Sequence, residues 1–192
     1  MATTQPIKDA KAIDALKDYF LTRKKNHRNY ALFVIGINTA LRIGDILSLT
    51  WDNVYNFDNN RFRNYLVVKE HKTGKENTIA MNQNVIEALE IYQQNLPEVK
   101  PFQYIFTGRD KKSALSRSQA FRIIKNACKE LHLPDNISCH SLRKTFGYHA
   151  WTAGTDPVIL MFIFNHSDFQ ITRRYLGIDQ CDKDNVFLHV NL

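Results

Sequence analysis

The chain has 192 residues, of which 44% are hydrophobic, and carries 26 lysines and arginines against 19 acidic residues for a net charge of +7. That is enough for one domain with a sizeable core. The longest apolar runs, "ALFVIGI" and "VILMFIF", fall far short of the roughly 20 residues a membrane-spanning helix needs, and the basic balance favours a polyanionic partner such as nucleic acid. The cysteines, Cys128, Cys139 and Cys181, are well separated and odd in number, which argues against a disulfide framework and fits a reducing cytoplasm. The opening residues lack the apolar middle of a signal peptide. No Cys-x-x-Cys or His-x-x-x-His spacing occurs, so neither a metal nor another cofactor is expected.

In chain order, "KDAKAIDALKDYFL" has apolar residues at helical spacing, and "NYALFVIGINTALR" is apolar nearly all round, as a central core helix is. The period then changes. "WDNVYNF", "NYLVVKE" and "NTIAM" are short and β-rich, separated by the turn-like "DNN" and by "HKTGK", and predict a small three-stranded antiparallel sheet near residues 50–81. Helical spacing returns in "NQNVIEALEIYQQNL", "SRSQAFRIIKNACKEL", "CHSLRKTFGYHAWTAG", "DPVILMFIF" and a last short piece near "DKDNVFLHV". No repeat or low-complexity linker divides the chain, which reads as one mainly helical α+β domain. The clusters "RKKNHR" (23–28) and "GRDKKSALSRSQAFRIIK" (108–125) are candidate phosphate-tracking surfaces, or solvated faces.

Some polar residues sit where packing alone does not call for them. In "CHSLRKTFGYHAWTAG" the helical wheel gathers Leu142, Phe146, His149, Ala150 and Ala153 into one stripe. It places His140, Arg143, Gly147 and Trp151 on another, with Gly147 leaving room for backbone or DNA. With 7 His and 11 Arg in the chain, chance alone gives about 0.4 His-x-x-Arg occurrences, so this pair needs companions. Arg42 in "TALRIGDILSLTW" has Asp45 three residues on, able to brace its guanidinium; Lys72, with Lys69 and Lys75 as rivals, lies at the hairpin tip; and His166 precedes Tyr175 by nine residues in "FNHSDFQITRRYLG".

In order, arginine, lysine, His-x-x-Arg, histidine and tyrosine resemble the catalytic domain of the tyrosine recombinases, or phage-type integrases, over nearly the whole chain. The resemblance implies catalytic roles for Arg42, Lys72, His140, Arg143, His166 and Tyr175, with Asp45 as the acidic partner of Arg42. It selects Lys72 over its neighbours through "HKTGK". Two positions depart from the family pattern: Ala40 and Asn165 stand where glycines are usual, and asparagine tolerates left-handed backbone better than most residues. Most members also carry an N-terminal domain that clamps the DNA. Here about 30 residues precede the central helix, so the expectation is a single catalytic domain over 1–192 without a separate core-binding domain, unless the chain is an excised fragment.

Two arginines fit strand breakage without a metal, because guanidinium forks bind phosphate bidentately and stay charged. An unperturbed phenol, with a pKa near 10, needs a base or a positive field to become a nucleophile. By resemblance, Tyr175 attacks phosphorus, His140 is the base, His166 a further donor, and Lys72 the acid for the departing 5′-oxygen. The implied function is site-specific recombination of double-stranded DNA, as in integration, excision or inversion, by a homotetramer through a 3′-phosphotyrosyl intermediate. The C-terminal Val186, Phe187, Leu188 and Val190 are expected to dock either on a neighbouring protomer or on their own domain. The alternative is a DNA-binding regulator or accessory protein that keeps the fold with little or no turnover.

Overall fold

The computed structural model describes residues 4–69, 74–178 and 180–190. Helix α1 (Ala10–Asp18) starts at Asp9, whose carboxylate accepts the Lys11 amide, and runs into a π-helical turn at Tyr19–Arg23. Helix α2 (His27–Asn38) is capped by the Asn26 side chain and buries Ala31 through Gly36 in one unbroken stretch. It is the central helix that its all-round apolar character predicts. Two short helices follow, α3 (Ile43–Leu47) and α4 (Trp51–Val54).

The β-region differs from the predicted three-stranded sheet. Strand β1 (Tyr55–Asn56) pairs antiparallel with β2 (Arg61–Phe62), and β3 (Tyr65–Lys69) with β4 (Glu76–Ala80), as two separate two-stranded sheets. The first half of "WDNVYNF" is helical because Thr50 and Asn53 form a reciprocal capping box, and Trp51 and Val54, three apart, turn into the core together. Strand β3 alternates, with Leu66 and Val68 buried and Tyr65, Val67 and Lys69 exposed.

Helix α5 (Gln83–Gln94) packs on α2, and α6 (Arg117–Glu130) begins at a Ser116–Gln119 capping box. Helix α7 (Cys139–Thr152) also crosses α2, at such close range that a Cβ on Gly36 would lie 2.6 Å from Leu142 Cδ1. Helix α8 (Pro157–Ile163) opens with proline after the Asp156 cap. Helix α9 (Phe169–Leu176) is capped by Asp168 and stops at Gly177 in the left-handed region, before α10 (Gln180–His189).

The main core gathers Leu32, Phe33, Trp51, Phe106 and Leu142 around α2. A second, smaller core joins Ala40, Leu160, Phe164 and Leu176, with Phe146, Trp151 and Tyr175 partly buried against it. Gly147 belongs to this second core, and the expectation that it leaves room for DNA is corrected. A Cβ there would stand 2.6 Å and 2.9 Å from Phe164 ring atoms, so the missing side chain accommodates an aromatic ring. Gly→Ala in an open helix position stabilises by up to about 1 kcal/mol. Here Gly147→Ala is expected to destabilise by about 1–3 kcal/mol, because Phe164 is fully buried and has no room to retreat. Urea unfolding measures it; a more stable variant would mean that the position is open.

Candidate active site

The site forms where the chain leaves α2, where α7 begins, and where the α8–α9 loop leads into α9. After α2 the chain reverses at Ala40, which is buried and left-handed (φ 56°), and then enters α3 at Arg42, the N-cap residue. Asp45 lies in the first turn of α3, where the partial positive charge of the helix start favours a carboxylate, and is almost wholly buried. The predicted Arg42 and Asp45 thus share one turn of backbone, tied by the Asp45 amide donating to the Arg42 carbonyl at 2.9 Å. The α8–α9 loop makes the same kind of reversal at Asn165, with φ 50°. The two positions where glycine is usual in the resembling family are therefore two left-handed residues. Asparagine fits that conformation more readily, while alanine stays there at a cost of roughly 1 kcal/mol.

Arg143 joins these reversals. It is 2% exposed, and its Nη1 donates to the Ala40 carbonyl while Nη2 donates to the Phe164 carbonyl at 2.7 Å. Its guanidinium carbon also lies 5.0 Å from the centre of the Phe164 ring. One side chain from α7 thereby fixes the residue before the Arg42 loop and the residue before Asn165 and His166. The helical wheel groups Arg143 with His140; the structure adds that Arg143 lies beneath the surface.

Above it the predicted residues converge. The Tyr175 ring lies edge-on to His140 at 5.0 Å and to His166 at 4.5 Å between centroids, and packs on Phe164 at 5.3 Å. His166 also stacks on Phe164 at 5.2 Å, and its Nδ1 is 3.0 Å from the hydroxyl of the buried Thr172. Thr172, whose hydroxyl meets His166, is a residue of the site that sequence reasoning missed. It sits three residues before Tyr175 on the same face of α9, and that spacing was the available signal. Lys144 was missed as well: it is buried, and its ammonium stands 5.5 Å from the Tyr175 ring centre.

Positive charge dominates this corner. Desolvation on the protein side of the ring, then the charges of Lys144, Arg143 and Arg42, push the His140 pKa down to about 4. At pH 7 His140 is a neutral imidazole, able to accept a proton or a hydrogen bond. Lys72 lies outside the described residues. The "RKKNHR" cluster is partly committed to the fold: Arg23 pairs with Asp18, Lys24 with Glu130, and Arg28 donates to the Thr107 carbonyl. Among the described residues no group of three or more His, Cys, Asp or Glu is arranged to hold a metal ion, and no helix is long and apolar enough to cross a membrane.

The profile of the Phage integrase family matches residues 8–180. The chain belongs to that family. It is a tyrosine recombinase catalytic domain. The probable integrase/recombinase YoeC of Bacillus subtilis (strain 168) is 39% identical over 180 residues, covering 94% of this chain and 93% of that protein. The tyrosine recombinase XerA of Pyrococcus horikoshii is 24% identical over 153 residues, covering 80% of this chain and 51% of that protein. The chain thus spans nearly all of one relative and about half of the other. In fold it is similar to the crystal structure of XerA recombinase, with a TM-score of 0.79 at 17% identity over 99% of this chain and 66% of that one. It is also similar to the Tn1549 transposon integrase solved with transposon right end DNA, with a TM-score of 0.75 at 20% identity over 98% and 66% of the two chains.

The lowered pKa of His140 makes the stability of this recombinase domain pH-dependent. Between about pH 6.5, where a free histidine titrates, and about pH 4, where His140 titrates in the fold, the unfolded chain binds the extra proton, so stability falls as pH falls. Urea unfolding at pH 7 and pH 5 is expected to show a smaller acid loss in His140→Gln than in the parent protein. Equal losses would contradict a depressed pKa at this ring.

Proposed function

We propose that this domain binds double-stranded DNA and cuts and rejoins its strands through Tyr175, as a site-specific recombinase. The observation that carries the reading is the Tyr175 ring held against both His140 and His166, over a buried Arg143 that anchors the Arg42 loop. The Tyr175 oxygen bonds to phosphorus as the bond from phosphorus to the 5′-oxygen breaks. The phenol proton passes to neutral His140, and the leaving 5′-oxygen takes a proton from Lys72. Charge gathering on the nonbridging oxygens is met by Arg42 from the α3 start and by the field of Arg143 from below. The Thr172 hydroxyl fixes the His166 ring through Nδ1, and a tautomer in which Nδ1 accepts from it leaves a proton on Nε2 for the same oxygens.

The phosphotyrosyl bond keeps the energy of the phosphodiester, so a second 5′-hydroxyl can attack it, return the proton and free Tyr175. Strand exchange of this kind needs more than one protomer, and we propose a homotetramer on two duplexes. Support comes from α10: Val186, Phe187, Leu188 and Val190 are between 57% and 81% exposed, which favours docking on a neighbour over packing on their own domain. The reaction places the protein where the DNA is, the cytoplasm that the cysteines suggest. The near-complete coverage of the integrase/recombinase YoeC supports the enzyme reading over a regulator that merely keeps the fold.

A nicked recombination substrate is expected to trap a covalent protein–DNA complex that survives denaturing electrophoresis. Tyr175→Phe is expected to abolish it, while specific, salt-sensitive DNA binding persists. An equal yield of complex from Tyr175→Phe would remove Tyr175 as nucleophile, and specific binding with no complex from the parent protein would favour the regulator.

A further inference from the structure

The recombinase reading leaves one charged group next to the nucleophile without a role. Lys144 is one residue beyond Arg143 and one turn beyond His140 on α7. It is 3% exposed, and its Nζ stands 5.5 Å from the centre of the Tyr175 ring. An extended segment at residues 4–8 holds it there. The Thr4 carbonyl accepts from Lys144 Nζ at 2.5 Å, the Gln5 amide donates to the Asn136 carbonyl, and the Ile7 amide donates to Thr145 Oγ1 at 2.9 Å. The Ile7 carbonyl lies 2.9 Å from His149 Nε2, and Pro6 closes on Gly177, where a Cβ would stand 3.0 Å from Pro6 Cγ. The segment therefore straps α7 to the end of α9, across the helix pair that carries Lys144 and Tyr175.

A buried ammonium is costly, and a carbonyl-tipped strap alone does not call for one, since a neutral amide would serve that bond as well. Its other neighbour is an aromatic ring. A cation near a phenol ring interacts weakly with the neutral ring and far more strongly with the phenolate, whose negative charge spreads onto the ring carbons. Among the described residues, the charged and titratable groups near Tyr175 include His140 and Lys144 from α7, His166 from the α8–α9 loop, Arg174 beside it on α9, and Arg143 beneath the Phe164 ring. The buried Arg143 spends its fork on the Ala40 and Phe164 carbonyls and lies against the Phe164 ring, whereas Lys144 is the buried ammonium set against the Tyr175 ring itself. Burial, then Arg174, hold the Lys144 ammonium below the usual lysine range.

We infer that Lys144 is a positioning residue for the nucleophile: a strap-anchored positive charge that stabilises Tyr175 as its phenol gives up the proton, before and during attack on phosphorus. The inference rests on the proposed role of Tyr175 and adds a source of activation separate from the base.

The test uses the full chain on the nicked substrate, with the rate of covalent complex formation as readout and thermal unfolding as a check of folding. Lys144→Gln keeps a donor for the Thr4 carbonyl and removes the charge; Lys144→Met removes both. Both are expected to slow the complex by about tenfold or more. Placing 3-fluorotyrosine at position 175, a more acidic phenol, is expected to speed Lys144→Gln more than it speeds the parent protein, an effect that a purely structural lysine would not produce. A parent rate in Lys144→Gln would overturn the inference and leave Lys144 as a tie for the strap. A slow Lys144→Gln that gains no more from fluorination than the parent would overturn it as well. A parent protein that forms no complex through Tyr175 would overturn the recombinase reading and this inference with it.

Discussion

A guanidinium buried inside a mainly helical domain organises this site. Arg143 contributes two hydrogen bonds, to the carbonyls of Ala40 and Phe164, and each carbonyl ends a stretch of chain that is about to deliver a side chain of the candidate site. Past Ala40 comes Arg42; past Phe164 come Asn165 and His166. A charge this deep is stable only when its donors are satisfied, and a carbonyl this deep only when it accepts. The arginine and the two reversals therefore require one another, and the distance between the Arg42 loop and the His166 loop is set by the span of one planar fork. Hydrogen bonds to a charged partner contribute about 1.5–3 kcal/mol each, enough to hold two left-handed turns of about 1 kcal/mol apiece.

The small second core makes that fork rigid. Phe164 packs on Gly147, stacks on His166, lies under the Arg143 guanidinium and carries Tyr175 on its other flank. Each contact restricts a group of the candidate site. Thr172 and Asp168 act on the same element from within α9, one by fixing His166 and the other by capping the helix that presents Tyr175. Geometry for phosphoryl transfer comes largely from such packing, because the reaction asks for placed charges more than for unusual groups.

Much of this could be read in the sequence, and the rest has identifiable physical reasons for staying hidden. The all-round apolar α2 and the helical spacing of α6 follow from periodicity, β3 from its β-rich composition, and the order of Arg42, His140, Arg143, His166 and Tyr175 pointed to one site. Trp51 and Val54 misled, because a four-residue segment with β-forming residues is settled by its cap and its burial, which propensity does not register. Gly147 was read as open space since a helical wheel gives a direction without the neighbour that fills it. The same wheel gives Arg143 a face but no depth, and its burial comes from the Ala40 and Phe164 carbonyls that it meets in the fold. Thr172 and Lys144 escaped notice because their meaning lies in contacts with His166 and Tyr175 that only the folded chain brings about. Ala40 and Asn165 were the most informative departures: what looked like two weakened motif positions are two left-handed residues in the structure.

The central claim is that Arg143 couples the Arg42 loop and the His166 loop. Amide hydrogen exchange in Arg143→Met tests it most directly, with the DNA absent so that only the fold is read. Protection is expected to fall together in the segments around residues 40–46 and 164–172, while α5, which packs on α2, keeps its own. Loss confined to one of the two loops, or unchanged protection in both, would contradict the coupling and leave Arg143 as a ligand for phosphate alone.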